Sequence, residues 1–300
     1  SCPEPPQVAA VQHCVLARII QPATDCAMLF RRWLAGCTVV KPETGGKAQM
    51  TNVQGLHRQE LHEALNDAVL EGMTATTGEA KGLPNAAFTD SAFLELERKH
   101  LFSRTWVFAG SRSAVSEPGA VRCLEVAGRQ LFMATDAKGE TRVWFNVCPH
   151  RGARLVVEDQ DKAAVLTCPY HGWSFGLDGG LRARPHYHAP LEHDRQGSKA
   201  ERDCLFEVRS AIWHDWVFVN IDGQAPAFED YMAPAMKAYE DWNLGALRLA
   251  HYQPFEFHAN WKLVVENFCD NYHVFMVHPA LHDAQEPRDR FGMSPDGVHM

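Results

Sequence analysis

The sequence predicts an α+β fold, in which an all-β module from about residue 104 to 222 feeds into the opening part of an α+β domain. Short strand-like segments separated by Gly and Pro turns crowd between Trp106 and Ile221. Helical spacing of apolar residues returns after Asp222-Gly223. Three hundred residues set a prior of about two domains. Hydrophobic residues at 46% and charged ones at 22% are ordinary for a globular chain and argue against disorder, collagen or coiled coil. Lys+Arg 29 against Asp+Glu 37 gives a net charge of −8, which leaves no electrostatic footprint for nucleic acid. Nine cysteines, an odd number, fall below disulfide-scaffold density and point to a reduced, cytoplasmic setting.

Residues 1–82 read as an N-terminal extension of doubtful authenticity, since Met50 or Met73 could each be a true start. The extension holds Cys2, Cys14, Cys26 and Cys37 without metal-ligand spacing, and a weak amphipathic helix over Leu56–Leu70. Arg31-Arg32 and Leu34-Ala35-Gly36-Cys37 superficially suggest a signal, but only Trp33 separates them, too little for an apolar core. No apolar run approaches the roughly 20 residues that span a bilayer, so no membrane partner is expected. Thr74 to Pro84 reads as a linker, and residues 83–103 as a lead-in helix capped by Thr89 or Asp90 with Phe93, Leu94, Leu96, His100 and Leu101 along it.

Strands are expected from Trp106 and at Val121–Val126, Gln130–Thr135, Thr141–Val147, Ala164–Thr167, Leu205–Val208 and Trp216–Ile221. Glu117-Pro118-Gly119 and Leu177-Asp178-Gly179-Gly180 supply turns. Residues 223–300 open with a helix presenting Phe228, Tyr231, Met232, Met236, Tyr239 and Trp242. An alternating stretch follows around Tyr252, Phe255 and Phe257, then a helical pattern from Trp261 to Val277 that Pro279 stops.

The β module carries Cys148-Pro149-His150 and, after seventeen residues, Cys168-Pro169-Tyr170-His171, each just past a strand. Two facing loops of this kind offer two thiolates and two imidazoles, the donor set of a Rieske 2Fe–2S centre. A Cys2His2 zinc site would use the same donors, and four unrelated residues are the bland alternative. His186, His188 and His193 follow a Gly-rich turn without paired cysteines and read as exposed loop residues.

Further on, Asp270 and His273 are spaced to share a helical face, while His278 lies five residues beyond His273. Residues five apart differ by about 140° on an ideal helix, so His278 needs its place before Pro279 to turn inward. Two histidines and a carboxylate form the facial triad of non-haem Fe(II) oxygenases.

With Arg151-Gly152 and Gly172-Trp173 after the two loops, and Asn260-Trp261-Lys262 leading to Glu266-Asn267-Phe268, the chain resembles the α subunits of Rieske non-haem iron oxygenases, the aromatic-ring-hydroxylating dioxygenase family. The resemblance implies a Rieske domain over 104–222 and, over 223–300, the start of a helix-grip, START-like catalytic domain. It assigns Cys148, His150, Cys168 and His171 to the 2Fe–2S cluster and His273 and His278 to a mononuclear Fe(II). Asp270 corresponds to the residue that bridges to a cluster histidine of the neighbouring protomer. The respiratory Rieske disulfide cysteines are replaced here by Ala153 and Tyr170, which places the expected potential at the low end of roughly −150 to +300 mV. The family's third iron ligand, an aspartate, comes well downstream of the His pair. Asp283, Glu286, Asp289 and Asp296 lie too close, so that ligand is expected beyond Met300 and the chain reads as truncated inside its catalytic domain.

The function implied is a terminal oxygenase that hydroxylates an organic, aromatic substrate with dioxygen and electrons from an NAD(P)H-dependent reductase or a ferredoxin. A homotrimer is implied, with a β subunit in some members. The rival within the family is hydroxylation or demethylation of a quaternary ammonium compound, whose enzymes share the compact spacing from Asn267-Phe268 to Asp270. The rival from another class is a 2Fe–2S electron carrier without an oxygenase site.

Overall fold

Among the described residues the middle of the chain forms ten strands, every pairing antiparallel. The computed structural model describes residues 66–76, 78–195, 203–248, 251, 253, 255–270 and 273–284. Strands β1 (Val107–Ser111), β2 (Val121–Val126), β3 (Arg129–Thr135) and β4 (Thr141–Phe145) belong to one six-stranded sheet. β9 (Glu207–Trp213) and β10 (Trp216–Asn220) complete it in the order β1-β10-β9-β4-β3-β2. Its two edge strands approach each other, curling the sheet into a nearly closed barrel. β5 (Leu166–Thr167), β6 (Ser174–Phe175), β7 (Leu181–Ala189) and β8 (Glu192–Asp194) form a second sheet in that order.

Period-two alternation divides the side chains of the larger sheet between two cores. Leu131, Met133 and Val143 pack with Val126, Val208 and Val217. Phe132, Ala134 and Trp144 point the other way and pack with Leu166, Phe175 and the two cysteines Cys148 and Cys168. Burial on both faces explains why β3 reads as an almost continuous apolar run. At the β3–β4 turn the Asp136 carboxylate accepts N–H groups of Lys138 (2.8 Å) and Glu140 (3.0 Å) and a guanidinium N–H of Arg142 (3.1 Å). Burial alone would raise the Asp136 pKa, but these donors outweigh it and hold the carboxyl below its usual range.

Residues 98–248 form one compact unit; residues to either side belong to a second. Helix α4 (Phe228–Ala238) falls in the first, where Phe228 meets the rings of Trp106 and Phe218 edge-on or tilted at 5.2 Å. Trp106 donates its indole N–H to Pro226 O at 3.0 Å. Phe228, Met232 and Ala235 form the buried stripe of α4, whereas Tyr231 and Trp242 are exposed, narrower than the face expected.

In the second unit, helices α1 (Asp67–Thr74) and α2 (Ala86–Thr89) precede α3 (Ser91–Glu97). α3 is capped as expected, with Asp90 Oδ1 accepting Ala92 N–H at 2.8 Å. The chain then continues as a π-helix over Arg98–Phe102. The later part comprises α5 (Trp261–Cys269), α6 (Val274–Val277) and α7 (Pro279–Ala284).

Several expectations need correction. The helical pattern from Trp261 to Val277 is two helices, broken where Asp270 turns extended (φ −81°, ψ 109°). That pattern does stop before Pro279, at Val277, but Pro279 also opens a further helix, α7, because its missing N–H costs nothing at a first helical position. His186, His188 and His193 lie on strands β7 and β8, not in a loop. Residues 185–188 are exposed on successive positions, so no apolar alternation marks them. Phe255 and Phe257 are exposed and outside any strand. Phe268 and Cys269, at the end of α5, are exposed. Tyr252, the extension through residue 65, and its four cysteines lie outside the described residues.

Candidate metal centres

The two Cys-His loops share one backbone pattern. Cys148 N–H donates to Ala153 O (2.8 Å) and Gly152 N–H to Cys148 O (2.9 Å). Cys168 N–H donates to Trp173 O (2.8 Å) and Gly172 N–H to Cys168 O (3.0 Å). Gly152 and Gly172 close these turns at φ 71° and 70°, where a Cβ would be strained. The histidines occupy different offsets within equivalent loops, two residues after Cys148 and three after Cys168. Both cysteine side chains are nonetheless buried in one core, and the two imidazole rings stand 4.6 Å apart.

Neighbouring rings hold the imidazoles in place. Trp173 stacks on His150 (4.6 Å, interplanar 3°), and Tyr170 lies 3.9 Å from His171. Arg184 sits over Tyr187 at 3.7 Å and Trp173 at 5.4 Å, and donates to Asp194 at 2.7 Å. Asn146, buried at the end of β4, accepts the N–H groups of Leu155 (3.1 Å) and Val156 (2.8 Å) and donates to Val156 O (2.7 Å). These bonds tie the segment after the first loop to the strand before it. Sequence reading missed the supporting roles of Asn146, Trp173 and Arg184; Trp173 alone carried a signal, beside Gly172.

Burial, with Cys168 alongside, pushes the Cys148 thiol up to about 11 against the pull of the His150 and Arg151 N–H groups. Burial first, then the nearby His171 and Arg151, lowers the His150 pKa. Paired buried thiols are poor anions by themselves, and a bound iron pair would stabilise them as thiolates. Among the described residues no three His, Cys, Asp or Glu side chains converge on one point. A Rieske cluster asks only for a pair of cysteines on one iron and a pair of histidines on the other. The donor set therefore fits that cluster.

In the second unit His273 stands at the start of α6, and His278 at its end has left helical geometry (φ −128°, ψ 59°). Their rings come within 5.5 Å, so the helix end turns His278 toward its partner as the spacing requires. The Asp270 carboxylate lies 3.0 Å from His273 Nδ1. It does so from beyond the end of α5, not from a shared helical face. An imidazole bound this way carries its proton on Nδ1 and presents the Nε2 lone pair. Two histidines would supply only part of an iron site. Asp283 is exposed on α7, and Glu286, Asp289 and Asp296 lie outside the described residues. A pocket on the first unit, lined by Arg122, Asp136, Asp178 and Arg182 among others, contains none of the candidate ligands.

Comparison with known proteins matches residues 105–234 to the Rieske [2Fe-2S] domain and residues 228–299 to the ring hydroxylating alpha subunit catalytic domain. The glycine betaine monooxygenase oxygenase subunit of Pseudomonas aeruginosa is 30% identical over 66% of this chain and 45% of its own length. A crystal structure of a quaternary ammonium Rieske monooxygenase in complex with substrate L-carnitine superposes with a TM-score of 0.60 at 28% identity, covering 69% of this chain and 58% of that one. Naphthalene 1,2-dioxygenase from Rhodococcus sp., bound to indole, gives a TM-score of 0.63 at 27% identity over 77% and 52%. The chain thus spans about half the length of the relatives it matches.

Proposed function

The chain belongs to the Rieske-type non-haem-iron oxygenase α subunits, and on that premise we propose that it is a terminal oxygenase acting on a quaternary ammonium compound. Cys148, His150, Cys168 and His171 hold the cluster, and His273 and His278 two coordination positions of the iron. When bound, the cluster supplies single electrons and the iron an oxygen-activating centre. The chain's own residues orient these groups. Trp173 and Tyr170 fix the imidazole planes, and Asp270 holds the Nδ1 proton of His273. In a homotrimer, Asp270 would also reach a cluster histidine of the next protomer. An external reductase or ferredoxin supplies the electrons. No helix among the described residues is long and apolar enough to cross a membrane, and we place the protein in the cytoplasm.

The observation that carries the oxygenase reading is that one chain holds both the paired Cys-His loops and the Asp270, His273 and His278 constellation. The quaternary ammonium substrate rests on the glycine betaine and carnitine relatives and has more support than the aromatic one expected from sequence. The naphthalene enzyme's fit favours the aromatic ring as the second reading. The test is oxygen consumption and product analysis for the protein with a reductase, offered glycine betaine, L-carnitine, naphthalene or biphenyl. Products of hydroxylation or N-dealkylation from the ammonium substrates support the proposal. Diols from the hydrocarbons alone overturn the substrate class, and no oxygen-dependent product from any substrate overturns the oxygenase reading in favour of an electron carrier.

A further inference from the structure

Lys262 is an ammonium placed where ammonium groups are rarely found. It is 5% exposed, and so is its partner Glu97, 165 residues earlier in the chain. The Lys262 Nζ donates to Glu97 Oε1 at 2.7 Å, and the Trp261 indole N–H donates to Glu97 Oε2 at 2.8 Å. Both carboxylate oxygens are thus engaged by adjacent residues of α5. Three aromatic rings surround the ammonium: Phe88 and Phe93 at 5.4 Å and Trp261 at 5.2 Å. Asn260, which opens this run, caps the same helix by accepting Lys262 N–H at 3.1 Å.

A buried ion pair stabilises little compared with apolar residues of similar volume, but losing either partner leaves a charge stranded. Its physical value is selectivity between packings. Apolar contacts between two helices tolerate sliding and rotation; a two-pronged carboxylate in an aromatic enclosure accepts one arrangement. A one-residue slip rotates a helix by about 100°, which would strand both charges. α5 leads directly from this pair to Asp270 and, after its break, to His273.

We infer that Glu97 and Lys262, with Trp261, form a buried lock that sets the rotation of α5 and thereby positions Asp270 and His273 for iron. They are positioning residues, since neither is placed at the metal. This rests on the oxygenase reading above, because it presumes iron at His273 and His278. The lead-in segment, which carries Phe88, Phe93 and Glu97, becomes part of the iron site's framework.

The test compares the metal-loaded full chain with Glu97→Gln, Lys262→Met and the apolar double variant Glu97→Leu/Lys262→Met. The double variant removes both charges together, so it can fold where a single one fails. Three readouts are taken: the cluster's visible spectrum, ferrous-ion affinity of the mononuclear site, and the electron paramagnetic resonance signal of that site with nitric oxide as probe. The lock predicts an unchanged cluster spectrum in the double variant, with iron affinity about tenfold or more weaker and a broadened nitrosyl signal. Wild-type iron affinity and an unchanged nitrosyl signal in the double variant would overturn it. A wild-type protein that binds no mononuclear iron would instead overturn the oxygenase reading on which the lock rests.

Discussion

Asn146 illustrates how much of the cluster site rests on residues that perform no metal chemistry. Its buried amide makes three hydrogen bonds to the backbone of residues 155 and 156. Asn146→Ala would strand those groups, at a cost of about 2 kcal/mol or more, and should speed cluster loss to a chelator. Urea unfolding together with bleaching kinetics checks this; wild-type values for both would contradict it. His273→Ala should abolish oxygenation while leaving the cluster spectrum intact, and loss of that spectrum would argue against separate sites. The six candidate ligands and the Asp270 bridge could be proposed from sequence because metal chemistry is written in residue type and local spacing. Asn146 and Glu97 were not, because a buried amide or carboxylate gains its meaning from partners that the chain brings from elsewhere. Glu97 finds both of its partners more than 160 residues away.

Among the elements, turns were the most readable and polar strands the least. The Leu177-Asp178-Gly179-Gly180 turn was expected, and its necessity is steric: Gly179 has φ 80°, and an added Cβ would meet the Trp144 ring at 2.3 Å. Gly179→Ala should cost about 2 kcal/mol through overpacking and strain, seen as a Tm several degrees lower. The β3–β4 turn carries a pH dependence. The folded-state pKa of Asp136 is lowered by its donors, so its contribution is fully present above its unfolded value of about 4 and fades as pH falls through the lower folded one. Asp136→Asn should therefore be less stable at pH 7, with the gap closing below about pH 4. A gap constant down to pH 2 would contradict this. Strands β7 and β8 escaped notice because their Arg, His, Tyr and Pro residues carry no hydrophobic period, and two of their buried positions are the ion-paired Arg184 and Asp194. The break at Asp270 escaped because Trp261 to Val277 keeps helical spacing across it.

For the whole molecule, an α+β reading with a Rieske β-domain leading into the catalytic region agrees with both family matches. The oxygenase and the electron carrier differ in metal content: three irons per full-length chain for the first, two for the second. The central claim is that Cys148 and Cys168 hold one iron of a 2Fe–2S pair while His150 and His171 hold the other. The most direct measurement is electron–nuclear double resonance on the reduced, metal-loaded protein grown with 15N-histidine. The expected result is couplings from two histidine nitrogens, both arising from the cluster and both unaffected by His273→Ala. A cluster with no histidine nitrogen coupling, or zinc bound in place of the iron pair, would contradict it.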